Sequence, residues 1–295
     1  MPTRLLHLFQ TLLNGCSQIF LQQQALCGAL IFLGIAVNDL ALLPGTLLGA
    51  LAGLLIARGL RYETTDLAAG LYGYNATLIG LLFASHFHWS LPMALLLFAS
   101  AVLATALLHA LLRRGRLLGG LPVYTLPFVL FGWLSLATAN LFGLEARNVG
   151  ELVLHGDALG LAAALLRSFG QVIFLDSPLA GACVFLGLLI ADWRAAAWAL
   201  FAALASLSLA LTLGGTEPAA LLGLYGYNPV LVAIALNHTP RRPWAPLAGI
   251  LLCLALQPCF SALGLPPLTA PFILACWLVL AISRAGQITS TAETT

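Results

Sequence analysis

Gly70-Leu71-Tyr72-Gly73-Tyr74-Asn75 stands twice in this chain: Gly223-Leu224-Tyr225-Gly226-Tyr227-Asn228 repeats it identically, 153 positions later. Two copies of one peptide mark an internal duplication, and the duplication decides how the other residues are read. At the same offset Gln18 pairs with Gln171, Gly28 with Gly181, and Phe32-Leu33-Gly34 with Phe185-Leu186-Gly187. Further along the offset becomes 144, where Leu121-Pro122, Thr125, Pro127-Phe128 and Trp133 match Leu265-Pro266, Thr269, Pro271-Phe272 and Trp277. The change in offset falls across the Arg-rich stretch 113–116, a natural place for a length difference.

The 295 residues are 61% hydrophobic and only 7% charged. A soluble domain carries about 25% charged residues. Apolar runs follow one another from Gly15 onward, each near the roughly 20 residues a helix needs to span a bilayer. The reading is an all-α polytopic membrane protein whose solvent is the lipid bilayer; a β-barrel would show short alternating segments instead. All twelve basic residues are Arg, and no basic patch suits a nucleic acid. The six cysteines lie in apolar runs without CxxC spacing, as small buried residues do. No removable signal peptide is read at the N-terminus.

A short interfacial helix is expected at 4–13, then spans at 18–38, 41–58, 69–86, 91–112 and 122–142. The second set falls at 171–191, 195–213, 219–237, 245–263 and 268–283. The chain divides into a first half at 1–142, a polar connection at 143–157, a second half at 158–284 and a disordered tail at 285–295. With ten crossings, ten arginines share one side with both termini, and only Arg147 and Arg167 face the other. That bias places the termini in the cytoplasm. Five crossings per half is an odd number, so the halves form an inverted repeat.

Matching residues of inverted halves meet near the bilayer centre. Gln18 and Gln171 are therefore candidates for one central path, as are Thr125 and Thr269, each two residues before a proline (Pro127 and Pro271). A proline inside an apolar span would free a carbonyl one turn back, giving rows of acceptors on opposite sides of a path. The same Gln and Thr residues could instead glue helices by interhelical hydrogen bonds. In the doubled peptide, Gly73 and Gly226 suit backbone shaping, and Asn75 and Asn228 suit a helix cap. His86 and His88 form an HxH pair with no third ligand nearby, and the histidines offer no row along a path. No nucleophile–base pair or metal cluster supports an enzyme.

The Gln-centred segments, the doubled Leu-x-Gly-Tyr-Asn peptides and the doubled Thr-x-Pro-Phe peptides resemble the urea transporter family in its bacterial form. The resemblance covers residues 15–284. It implies ten transmembrane helices as two inverted five-helix repeats with short half-spanning helices, and a pore in each protomer of a homotrimer. It implies passive diffusion of urea across the bacterial cytoplasmic (inner) membrane, with no cofactor. Under it, Thr125, Thr269, Gln18 and Gln171 supply polar edges of the path. Phe174 and Leu21 form its matching walls, and Leu78 and Leu231 line it further. The family pattern is Gln-x-x-Phe; here Leu21 takes the Phe position of the first half, leaving Phe20 or Phe83 to replace that ring. Channels for another small neutral solute, namely a short amide, ammonia or water, and an ion-coupled transporter stay open as alternatives.

Overall fold

The computed structural model describes residues 2–115, 118–148, 150, 152–237, 239, 242–292. Seven helices build the first half: α1 (Pro2–Gln18), α2 (Ala25–Asn38), α3 (Leu43–Gly59), α4 (Thr64–Ala68), α5 (Tyr74–His86), α6 (Leu91–Arg113) and α7 (Leu126–Thr138). Seven more follow in the same order: α8 (Ala158–Gly170), α9 (Pro178–Ala191), α10 (Trp193–Thr212), α11 (Glu217–Leu221), α12 (Tyr227–Leu236), α13 (Ala245–Ala262) and α14 (Ala270–Ala292). Helix α14 continues into the stretch 285–295 that the sequence reading leaves without structure; residues 293–295 lie outside the described residues.

The repeat is written in the backbone. Positive φ angles pair at the two sequence offsets: Leu21 with Phe174, Arg61 with Gly214 and Gly70 with Gly223, then Gly120 with Gly264 and Tyr124 with Leu268. The halves also touch reciprocally. Trp133 Nε1 donates to the Pro266 carbonyl at 2.8 Å, and Trp277 Nε1 donates to the Pro122 carbonyl at 2.8 Å. Contacts that exchange in this way are those of a two-fold axis. Helices α2 and α9 cross close to that axis. A Cβ at Gly34 would stand 3.0 Å from the Ala180 carbonyl oxygen, and one at Gly187 would stand 3.1 Å from that of Cys27.

Among the described residues, four helical stretches are long and apolar enough to cross a membrane: 40–59, α6, α10 and α13. Helix α8 and its 3₁₀ extension meet α9 at a 76° bend. The apolar part of α14, Ala270–Arg284, and the remaining apolar helices are shorter. Helix α5 has 13 residues, α7 has 13 and α12 has 10, against the roughly 20 a crossing needs. Helices this short do not reach across an apolar layer on their own, and inside a buried interior only protein satisfies their ends. Helix α5 is accordingly buried at every position from Tyr74 to Ala84.

Two sequence expectations are revised here. The run 18–38 is not one span. Helix α1 extends past the expected short helix and ends at Gln18; the chain then turns through Leu21 at φ 58 before α2 begins at Ala25. The run 171–191 breaks likewise, through a 3₁₀ turn and Phe174 at φ 62. Side-chain oxygens hold both breaks. Ser17 Oγ donates to the Gln22 carbonyl and accepts from Gln24 N. Asn38 Oδ1 accepts from Asp176 N and Ser177 N. Second, Pro127 and Pro271 do not interrupt a helix. Each is the second residue of one, α7 or α14, where a missing N–H costs nothing.

The doubled peptide wedges its first glycine against the first helix of its half, α1 or α8. Gly70 has φ +79, and a Cβ there would lie 2.2 Å from Gly15 N; Gly223 also has φ +79, with Ser168 N at 2.6 Å from such a Cβ. Beside each wedge a polar side chain ties the helix to the turn. Asn14 Nδ2 donates to the Ala68 carbonyl, and Arg167, at the matching position, donates to the carbonyls of Leu221 and Asp176. Arg167 is thus a buried support within α8 and not a loop charge. We expect Gly70→Ala and Gly223→Ala each to destabilise the fold by at least about 1–3 kcal/mol. Thermal unfolding in detergent measures this, and unchanged melting of both variants would contradict the wedge.

Candidate functional site

Helices α7 and α14 begin inside the protein with their N-terminal ends facing one another. Thr125 and Thr269 precede them, buried at 3% and 2% exposure, and their hydroxyls hydrogen-bond each other at 2.7 Å. The two threonines therefore sit together near the two-fold axis, not on opposite sides of a path. With their oxygens engaged there, neither caps its own helix. The cap comes from the doubled peptide. Asn75 Oδ1 accepts from Phe128 N at 3.0 Å, and Asn228 Oδ1 accepts from Phe272 N at 3.3 Å. Each asparagine lies in the first turn of a short helix, just after Gly73 or Gly226 at its N-cap.

The two caps differ in detail. Asn228 Nδ2 also donates to the Leu268 carbonyl at 3.0 Å. At the matching carbonyl of Tyr124 the donor is the Tyr74 hydroxyl, and Asn75 Nδ2 is buried with no partner among the described residues.

A cavity of about 610 Å³ opens beside the threonine pair, with Thr269, Gln171, Phe174, Phe128 and Tyr227 in its lining. The rings of Phe128 and Phe174 stand 6.2 Å apart at 60°, giving it an apolar wall. Leu222, Leu224 and Leu268 add aliphatic surface. The polar groups are Gln171, Thr269, His86, Ser85 and Tyr227, and the charged ones are Arg147 and Asp176. Arg147 comes from the connection between the halves and is paired with Asp39. The connection is laid onto the end of α5: His88 N donates to the Glu145 carbonyl, and Arg147 N to the His86 carbonyl.

Of the residues expected along the path, the cavity gathers Gln171, Phe174 and Thr269. Gln18 sits at the matching break, its Nε2 donating to the Ala69 carbonyl at 3.1 Å. Leu78 and Leu231 are sealed in the core at 0% and 1% exposure and have no surface on this cavity. Leu21 packs against the core. Phe20 and Phe83 are both wholly buried, and neither is in the lining of this cavity. The aromatic partner of Phe272 is Tyr124, at 4.8 Å and 57°, where the symmetry of Phe128 and Phe174 would have put residue 21. Sequence reasoning missed Tyr124, Tyr227, Arg147 and His86. Tyr124 was open to detection, because its match at the 144 offset is Leu268.

The match to known proteins follows this geometry. The family model described as urea transporter matches residues 9–284. The chain belongs to the urea transporter family. It is 27% identical over 301 residues to Urea transporter 1 of Ovis aries, covering 92% of this chain and 76% of that one. To Urea transporter 1 of Mus musculus it is 29% identical over 250 residues, covering 77% of this chain and 62% of that one. The matched range takes in every residue of the site, and the membrane-capable helices agree with a membrane protein.

Removing either asparagine leaves a helix start uncapped in a water-poor interior, at about 1–3 kcal/mol. Asn228→Ala should cost more than Asn75→Ala, because Asn228 makes one more hydrogen bond. Paired unfolding measurements test the order; equal losses would contradict it.

Proposed function

We propose that this chain is a passive urea channel. The observation that carries the reading is the cavity walled by Phe128 and Phe174 beside the Thr125–Thr269 hydroxyl pair near the repeat axis. Family membership supports urea as the solute.

Urea is flat, neutral and small, with N–H donors along its edges. Rings can sandwich its faces while oxygens accept from its edges. Each polar group left unpaired in a dry path costs about 1–3 kcal/mol. Acceptors placed in series lower that barrier without making a trap. Gln171 Oε1 serves at the mouth and the threonine hydroxyls serve near the axis. Gln18, at the break on the other side of the axis, continues the series with its Oε1. Ions gain no such compensation. The charges lie at the mouth on Arg147 and Asp176, and none of the residues around the hydroxyl pair named above is ionised.

On this reading the membrane holds ten crossings as two inverted five-helix repeats, with half-spanning helices meeting at the axis. The Arg-rich face and both termini lie in the cytoplasm, the cavity opens on the opposite side, and three protomers assemble in a bacterial cytoplasmic membrane, each with its own path. Bound urea or a short amide is the only ligand the mechanism uses.

Stopped-flow light scattering on proteoliposomes tests the function, with urea, acetamide, ammonia and water compared. Urea flux well above that of empty vesicles, independent of sodium and with no accumulation against its own gradient when a proton gradient is imposed, is the expected result; flux equal to that of empty vesicles would overturn it. Thr125→Val and Thr269→Val keep shape and delete one oxygen each. Each should slow urea flux about 3- to 10-fold while leaving the oligomer intact on size exclusion. Wild-type flux in both would remove the threonines from the path.

A further inference from the structure

His86 closes α5 and turns its ring into the cavity, edge-on to Phe174 with ring centroids 5.7 Å apart at 87°. Its Nδ1 lies 3.0 Å from the Leu82 carbonyl oxygen and 2.9 Å from Ser85 Oγ. A carbonyl oxygen only accepts, and Ser85 Oγ itself donates to that same carbonyl at 3.0 Å, so we assign the proton to Nδ1. The neutral ring then presents Nε2 as a bare acceptor, because the tautomer is fixed by the bond the other nitrogen makes. Nε2 has no protein partner among the described residues, and the residue is exposed into the cavity. Among the other polar groups of the lining, Gln171, Ser85, Tyr227, Thr269 and Asp176 offer oxygens and Arg147 offers only N–H donors. His86 thus adds one nitrogen acceptor, next to the ring of Phe174.

We propose that His86 Nε2 is a further solute-contacting acceptor at the cavity mouth, taking an amide N–H of urea as it passes onto the face of Phe174, and that its protonation slows transport. The inference rests on the urea-channel reading. An imidazolium has donors on both nitrogens and no acceptor. Acid therefore removes one rung from the series and adds a positive charge near Arg147. The charged and titratable groups around His86 come from each neighbouring segment. They are Arg147 of the connection with its partner Asp39, Asp176 of the α8–α9 break, Tyr227 of α12, and His88 just beyond α5.

The test measures urea flux in proteoliposomes between about pH 8 and pH 5, the range in which an ordinary imidazole titrates. Wild type, His86→Gln and His86→Phe are compared. Glutamine keeps an acceptor that does not titrate; phenylalanine keeps the ring and deletes the nitrogen. Wild-type flux should fall about 3- to 10-fold on acidification. His86→Gln should be faster than His86→Phe at pH 8, because it keeps an acceptor, and should lose the acid response. His86→Phe should be slow at both pH values and flat between them. Both variants retain Arg147, Asp176, Asp39, Tyr227 and His88, so an acid response that persists in them arises elsewhere and overturns the assignment. His86→Phe as fast as wild type at pH 8 also overturns it. A His86→Phe protein that fails to fold leaves the decision to His86→Gln, whose pH profile alone supports or refutes the idea. Absence of urea flux in wild type at every pH would instead overturn the channel reading itself.

Discussion

A helix that begins in a buried interior leaves N–H groups with no water to meet them. That constraint governs this protein. Helices α7 and α14 both start at the axis between the halves, and their first N–H groups need oxygen from somewhere. Thr125 and Thr269 would be ordinary caps, but their hydroxyls are turned to each other. Asn75 and Asn228 take over from across the fold. Because each asparagine sits at the start of α5 or α12, the cap also fixes where those short helices begin. The glycine wedge at Gly70 or Gly223 then sets how closely the doubled peptide approaches α1 or α8. Capping, wedge and break are one connected device, used twice.

Much of this was legible in the sequence because it was doubled. The pairs Asn75 and Asn228, Thr125 and Thr269, and Gln18 and Gln171 emerge from two offsets with no knowledge of structure. The breaks after Gln18 and Gln171 did not emerge. Ile19-Phe20-Leu21 and Val172-Ile173-Phe174 are apolar, and hydropathy has no term for a residue that turns the chain at positive φ. The prolines misled for a related reason. A proline at the start of a helix and one in its middle give the same composition, and only the end of the preceding loop separates them. His86 looked like a residue at a span end. Its place in the cavity depends on the connection folding back onto α5, which no local pattern encodes.

The halves differ where the chemistry differs. Asn14 and Arg167 both tie a helix to the carbonyls of a short turn, with one hydrogen bond from the first and two from the second. Phe174 and Leu268 line one side of the axis, while Leu21 and Tyr124 take the matching positions. An aromatic ring has moved from one backbone segment to another, and Phe272 keeps a ring partner all the same. Burial at the axis fixes how much aromatic surface is needed there, and it leaves open which segment supplies it.

The reciprocal tryptophan bonds carry a consequence for how such a molecule arises. Trp133 reaches the loop before α14 and Trp277 reaches the loop before α7, each with the same atom, to the same kind of carbonyl, at the same distance. The threonine pair closes on itself in the same fashion. A single half, meeting a second copy of itself about a two-fold axis, could make every one of these bonds. Neither half could make any of them alone. Fusion of the two copies adds only the connection, and once fused the copies are free to diverge, as His86 and Tyr124 have done, without losing the contacts that first brought them together.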